Sequence, residues 1–216
     1  MYRAAIGPWV KQRLLQTPGA MKLPSNKLDI FLVRSFLTEQ ECKKLCARID
    51  QHRQPSGLLG KEQDPEFRTS ESCNVNPQEP LVQAVEAKIT RLMGIDPING
   101  ETIQGQRYAV GQQFKPHHDF FHTNMPYWQE MQKVGGQRTW TAMMFLNEPE
   151  AGGQTNFPHA NIRVTPRTGN LLTWNNLNDD GEPNTFSLHQ GMPVEAGVKY
   201  VITKWYRERP WLAEPD

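Results

Sequence analysis

The sequence predicts a mainly β protein, an all-β sandwich or jelly roll with helices ahead of it, and three observations carry that prediction. After residue 100, short apolar, β-branched or aromatic runs alternate with Gly, Pro and Asn turns. Before residue 100, two segments repeat apolar residues at helical spacing. The 216 residues suit one well-buried domain, with no internal repeat or low-complexity segment to divide it.

Residues 1–28 read as a lead-in with a short helix, and 29–216 as a single domain whose core spans about 100–210. Thr38-Glu39-Gln40-Glu41 is a capping box: Thr38 caps and Glu41 reaches back. Leu45, Cys46 and Ile49 continue the apolar spacing, so a helix runs from about Glu39 to His52. Arg53 to Ser72 is polar and broken by Gly and Pro, hence a loop. Asn76-Pro77 offers a second helix start, with Pro77 at the first helical position. Leu81, Val82, Val85, Ile89, Leu92 and Met93 line one face of that helix before Gly94 ends it. The two helices pack on the outside of one sheet. Strands are expected at Ile103–Val110, Thr139–Leu146, Ile162–Thr165, Asn170–Trp174 and Tyr200–Tyr206.

Composition narrows the partners. With 24 basic and 23 acidic side chains, net charge implies no nucleic-acid partner. No stretch approaches the about eighteen consecutive apolar residues of a spanning helix, so no membrane insertion is expected. Three cysteines without CxxC spacing argue against a disulfide framework and for a reducing compartment, the cytoplasm. The first acid is Asp29, after Arg3, Lys11, Arg13, Lys22 and Lys27; this basic start leaves organelle targeting as the alternative location. Oligomeric state is open.

The chemistry concentrates at His117-His118-Asp119, His189 and Lys199. On a strand, residues i and i+2 share a face, so His117 and Asp119 reach one metal while His118 points away. Two imidazoles and one carboxylate are the facial set that holds Fe(II) with positions open for ligands. Gly197 turns the chain into the strand Lys199-Tyr200-Val201-Ile202-Thr203-Lys204-Trp205, where Lys199, Val201, Thr203 and Trp205 share a face. A lysine heading such a face meets an anion if buried, or else snorkels to water.

His117, His118 and Asp119 sit within Arg107-Tyr108-Ala109-Val110-Gly111-Gln112-Gln113-Phe114-Lys115-Pro116-His117-His118-Asp119-Phe120-Phe121, one of an ordered series of blocks. The others are Phe36-Leu37-Thr38-Glu39-Gln40-Glu41-Cys42, Arg68-Thr69-Ser70, Gly136-Gln137-Arg138-Thr139-Trp140-Thr141, Gly152-Gly153-Gln154-Thr155-Asn156-Phe157-Pro158, Pro166-Arg167-Thr168-Gly169-Asn170-Leu171-Leu172 and the run from Ser187 to Trp205, which holds His189 and Lys199. In this order the chain resembles the 2-oxoglutarate- and Fe(II)-dependent dioxygenases, and among them the prolyl 4-hydroxylase type, from about Asp29 onward. The resemblance implies a double-stranded β-helix (jelly roll) with N-terminal helices packed on one sheet. It implies His117, Asp119 and His189 as iron ligands and Lys199 as the partner of the distal carboxylate of 2-oxoglutarate. Tyr108 matches a position lining the co-substrate pocket, Thr155 and Trp205 match positions near the co-substrate or metal, and Arg68 adjoins the substrate groove. Tyr127 and Trp128 lie in the segment from His122 to Gln137, which with the loop from Arg53 to Phe67 forms the natural lids over a peptide. The implied cofactors are Fe(II), 2-oxoglutarate and O2, with ascorbate as reductant.

The implied reaction is hydroxylation of proline, at C4 by inheritance from the family, in a peptide or protein, with 2-oxoglutarate converted to succinate and CO2. Two departures stand out. Met192 occupies a position often held by Cys, and no peptide-substrate domain, secretory signal or ER-retention ending is recognisable, the chain closing Ala213-Glu214-Pro215-Asp216. A compact form of the bacterial, viral or algal kind fits better than a collagen-modifying one. The same chemistry on a free amino acid or other small molecule is the alternative within enzymes. A non-catalytic binding or sensing jelly roll is the alternative outside them, disfavoured because all four site residues are kept. A zinc hydrolase would leave the lysine unexplained.

Overall fold

The computed structural model describes residues 3–57 and 64–211, so the middle of the expected loop at 53–72 and the ending Ala213–Asp216 lie outside the described residues. Four helices are described: α1 (Arg3–Gln16), α2 (Glu39–His52), α3 (Pro80–Met93) and α4 (Trp128–Lys133). The strands are β1 (Ala20–Lys22), β2 (Ile30–Val33), β3 (Gln54–Pro55), β4 (Glu71–Asn74), β5 (Gln104–Tyr108), β6 (Phe114–His117), β7 (Arg138–Phe145), β8 (Ala151–Gly152), β9 (Thr155–Phe157), β10 (Ile162–Val164), β11 (Leu171–Asn175), β12 (His189–Gly191), β13 (Val194–Ala196) and β14 (Lys199–Arg207). Eight form one sheet in the order β1-β2-β11-β7-β14-β5-β4-β3; β10-β9-β12-β6 form a second, and β13-β8 a small third. The strand pairs are antiparallel.

The large sheet separates two apolar clusters. On one side Trp140, Ala142, Met144, Leu171, Ile202 and Tyr206 pack with Leu45 and Ile49 of α2 and Val85 and Ile89 of α3. On the other, Met143, Phe145, Leu172, Trp174 and Val201 meet Phe157, Ile162 and Val164 from the smaller sheet. Alternate residues of β7, β11 and β14 thus enter different cores, as the period-2 geometry of a strand requires.

The capping box on α2 forms as expected: Thr38 Oγ1 accepts from Glu41 N at 3.2 Å and Glu41 Oε2 from Thr38 N at 2.8 Å. The second helix starts later than expected. Asn76 uses its side chain on Gln78 N and its carbonyl on Glu79 N, closing a turn, and Pro80, not Pro77, is the first helical residue. Pro80 has no N–H with which to extend a ladder back to Asn76. Gly94, at φ 70°, ends α3 in the left-handed conformation that glycine adopts without a Cβ clash.

Three helices, not two, pack before residue 100. The expected lead-in contributes Ile6, Val10 and Leu14 to the helix-side core. Arg13 of α1 donates to the carbonyls of Arg91 (2.6 Å) and Leu92 (3.0 Å), backbone acceptors left over at the end of α3.

Candidate active site

Strands β6 and β12 lie side by side, with His189 directly opposite His117 in the antiparallel register. This pairing brings together histidines seventy-two positions apart, their ring centroids 4.3 Å from each other. Asp119 lies just past the end of β6 and not, as expected, within a strand. Beyond β6 the Gln137 amide holds the chain at Phe121, accepting from Phe121 N at 2.6 Å and donating to Phe121 O at 2.8 Å. The carboxylate still points to the histidine pair, with Oδ1 3.9 Å from His117 Nε2 and Oδ2 3.8 Å from His189 Nε2.

Each histidine is oriented by its own strand. His117 Nδ1 donates to Lys115 O at 2.8 Å and His189 Nδ1 to Ser187 O at 2.9 Å. A carbonyl only accepts, so both Nδ1 atoms carry a proton, and Nε2 is the ring atom that each histidine turns to Asp119. Burial, reinforced by neighbouring His189, lowers the His117 pKa to about 3, which keeps that ring neutral. Burial alone would raise the Asp119 pKa, but His189, His117, Arg138 and the Thr141 hydrogen bond outweigh it and hold the carboxyl ionised. The candidate ligand atoms all lie within 4.8 Å of one another. Two imidazoles and one carboxylate fit Fe(II).

Lys199, opposite Tyr108 in the β14–β5 register, is 2 % exposed and does not snorkel to water. Its Nζ lies 5.3 Å from the Tyr108 ring centroid and 5.8 Å from that of Phe145, and among the described residues no carboxylate pairs with it. Burial alone pulls its pKa down to about 7. A cavity of about 40 Å³ runs from Lys199 to the triad, and Tyr108, Thr155 and Trp205 line it as expected. Thr155 Oγ1 and Trp205 Nε1 are buried there without a hydrogen-bond partner. Tyr108, its pKa raised by burial, is hydrogen-bonded to Ser70.

The cavity meets a groove of about 830 Å³ at Phe114, His117, Asp119 and Trp205. Arg68 and Tyr127 line this groove; Trp128, half-buried at the start of α4, does not. Arg68 sits 4.8 Å over the Phe114 ring, and that ring stacks on His117 at 3.5 Å and 14°. Arg68 also donates to Gln104 Oε1 at 2.8 Å.

Sequence reasoning missed two buried polar groups. Glu101 accepts two 2.6 Å hydrogen bonds from Arg138, whose guanidinium lies 4.1 Å over the Trp205 ring, and it also binds Arg207. Thr141 Oγ1 donates to Asp119 Oδ2 at 2.7 Å. The available signal was the polar series Arg138, Thr139, Thr141 on a strand whose remaining residues are apolar.

Residues 103–207 match the model of the 2OG-Fe(II) oxygenase superfamily, 2OG being 2-oxoglutarate. The chain is 31% identical over 214 residues to prolyl 4-hydroxylase 2 of Arabidopsis thaliana, covering 87% of this chain and 70% of that protein. It is 29% identical over 180 residues to a putative prolyl 4-hydroxylase of Acanthamoeba polyphaga mimivirus, covering 83% and 74%. In fold it is similar to the viral collagen prolyl hydroxylase of Paramecium bursaria Chlorella virus-1, solved with 2-oxoglutarate, at TM-score 0.67 and 24% identity over 82% of this chain and 95% of that one. A Pseudomonas putida prolyl-4-hydroxylase gives TM-score 0.58 at 18% identity over 93% and 98%. The antiparallel sheets with flanking helices are therefore the oxygenase jelly roll, and the chain belongs to the prolyl 4-hydroxylase family of 2-oxoglutarate- and Fe(II)-dependent dioxygenases.

Proposed function

We propose that this protein hydroxylates a proline within a peptide or protein, at C4 by inheritance from its relatives, using Fe(II), 2-oxoglutarate and O2. The observation that carries the reading is the junction of two spaces at His117 and Asp119: a small cavity that holds His189 and a lysine with no carboxylate partner among the described residues, and a much larger groove. Iron and co-substrate, when bound, supply the oxidation: 2-oxoglutarate loses CO2, one oxygen atom of O2 enters the succinate formed, and the other becomes the hydroxyl of the product.

The chain supplies binding and exclusion of water. His117 and His189 offer Nε2 and Asp119 a carboxylate oxygen to the metal, their orientations fixed by Lys115 O, Ser187 O and Thr141. Lys199 takes the distal carboxylate, and the unpartnered Thr155 hydroxyl beside it completes the contact. Tyr108 walls the cavity, and Trp205 closes it toward the groove. Arg68 and Tyr127 flank the peptide. The groove is many times larger than the cavity, which favours a peptide over a free amino acid. Ascorbate as reductant and a cytoplasmic setting belong to the same reading, the latter supported by three free cysteines.

Incubation of the protein with Fe(II), 2-oxoglutarate and a panel of proline-containing peptides tests the proposal by mass spectrometry. One succinate is expected for each peptide that gains one oxygen atom. Turnover of 2-oxoglutarate with free proline and with no peptide would overturn the peptide assignment.

A further inference from the structure

A buried hydrogen-bonded chain joins two of the three candidate ligands through side chains outside both spaces. Asp119 Oδ2 accepts from Thr141 Oγ1 at 2.7 Å, and Thr141 Oγ1 accepts from Asn176 Nδ2 at 2.9 Å. The backbone carbonyl of Asn176 accepts from Asn184 N at 2.9 Å. The carbonyl of Asn184 accepts from Ser187 N at 3.0 Å and Ser187 Oγ at 2.7 Å. Ser187 O, finally, is the acceptor that orients the His189 ring. Asp119, Thr141, Asn176, Asn184, Ser187 and His189 are all buried.

Directions along the chain follow from chemistry. An ionised carboxylate only accepts, so the single hydroxyl hydrogen of Thr141 goes to Asp119. The group facing the other side of that oxygen must then be a donor, which places the NH2 of Asn176 there and leaves its Oδ1 without a partner. Neighbouring threonines behave differently. Thr139 and Thr173 donate to backbone carbonyls, of Tyr206 and Thr141 respectively, as buried structural hydroxyls do. Thr141 gives its hydrogen to a candidate metal ligand instead.

We propose that Thr141 and Asn176 are positioning residues for the metal. Thr141, itself held by Asn176, occupies Asp119 Oδ2 so that Oδ1 is offered to the ion, and Asn176 ties the pair to the segment that aims His189. A carboxylate held by one oxygen binds through the other, which keeps coordination positions open for co-substrate and O2. The inference rests on the reading of His117, Asp119 and His189 as the metal site.

Cobalt(II) titration of metal-free protein, followed by visible absorption, tests it without any turnover. Thr141→Val keeps the shape and removes the hydroxyl; it should weaken Co(II) binding by about 10–100-fold and alter the absorption bands. Thr141→Ser, which restores the hydroxyl, should return most of the affinity and the native spectrum. Asn176→Ala, which leaves the Thr141–Asp119 bond possible, should shift the spectrum with a smaller loss of affinity, and it decides the question if Thr141→Val does not fold. Native affinity and spectrum in folded Thr141→Val, or an unchanged spectrum in Asn176→Ala, would overturn the proposal. His189→Ala separates the two readings: loss of Co(II) there with none in Thr141→Val removes only the positioning role, whereas full binding by His189→Ala removes the metal site itself.

Discussion

Two lysines on β14, five residues apart, are buried on opposite faces of the large sheet and meet different environments. Lys204, 3 % exposed on the helix side, has Glu86 of α3 at 2.6 Å. Lys199, 2 % exposed on the site side, faces aromatic rings and no carboxylate among the described residues. A buried charge without a partner is destabilising, and the proposed function gives this one a partner from outside the chain, the distal carboxylate of 2-oxoglutarate. The helix side also holds buried donors without a partner, Trp140 Nε1 and Asn175 Nδ2, but its buried lysine is ion-paired. The site side carries unpartnered donors, Thr155 Oγ1, Trp174 Nε1 and Trp205 Nε1, around a charge that burial has weakened.

The contrast can be broken most severely at the metal. His189→Ala should reduce succinate formation to background while circular dichroism stays native, because the imidazole serves the site and its loss leaves both apolar clusters intact. Next comes the paired lysine. Lys204→Met strands Glu86 and should lower stability by about 1–3 kcal/mol in urea unfolding, with the KM for 2-oxoglutarate unchanged. A raised KM would show that the two faces are not separable.

The mildest expected effect is the pH dependence of co-substrate binding. With its pKa near 7 when the site is empty, Lys199 is charged below that pH and loses its proton above it. A bound anion favours the charged form, so binding above about pH 7 takes up a proton. Affinity should fall as pH rises, by at most about tenfold per unit for one proton. The stability of the ligand-free protein runs the other way. The folded pKa lies below the unfolded value of 10.5, so between about 7 and 10.5 the unfolded chain binds more protons and the Lys199 contribution to stability rises with pH. A 2-oxoglutarate affinity that is flat across this window would sharpen the account against a charged anchor.

The legible parts of the molecule were those with a local period or motif. Strands β5, β7, β11 and β14 announced themselves by alternation, α2 by its capping box, and the triad with Lys199 by spacing within a familiar order of blocks. What stayed hidden depends on partners distant in the chain. The Asn176 to Thr141 bond spans 35 residues and the Arg138 to Glu101 pair 37, and a buried threonine or arginine looks the same in sequence whether it serves a metal ligand or the surface. The late start of α3 escaped because either Pro77 or Pro80 could open a helix; the Asn76 turn decides between them. The apolar face of α1 is weak in sequence, and its place in the structure comes from buried Ile6, Gly7, Val10 and Leu14 and from the bonds of Arg13 to the end of α3.

Thermal unfolding of the metal-loaded protein and of Lys199→Met, each with and without 2-oxoglutarate, tests the central claim most directly. Methionine removes the unpaired charge and keeps the length of the chain, so the variant should start at a higher Tm than the native protein. The native protein should then gain Tm on adding 2-oxoglutarate, as ligand binding to the folded state requires, and the variant should gain little. A variant that starts lower, or gains as much from 2-oxoglutarate as the native chain, would show that Lys199 is a structural residue and not the anchor of the co-substrate.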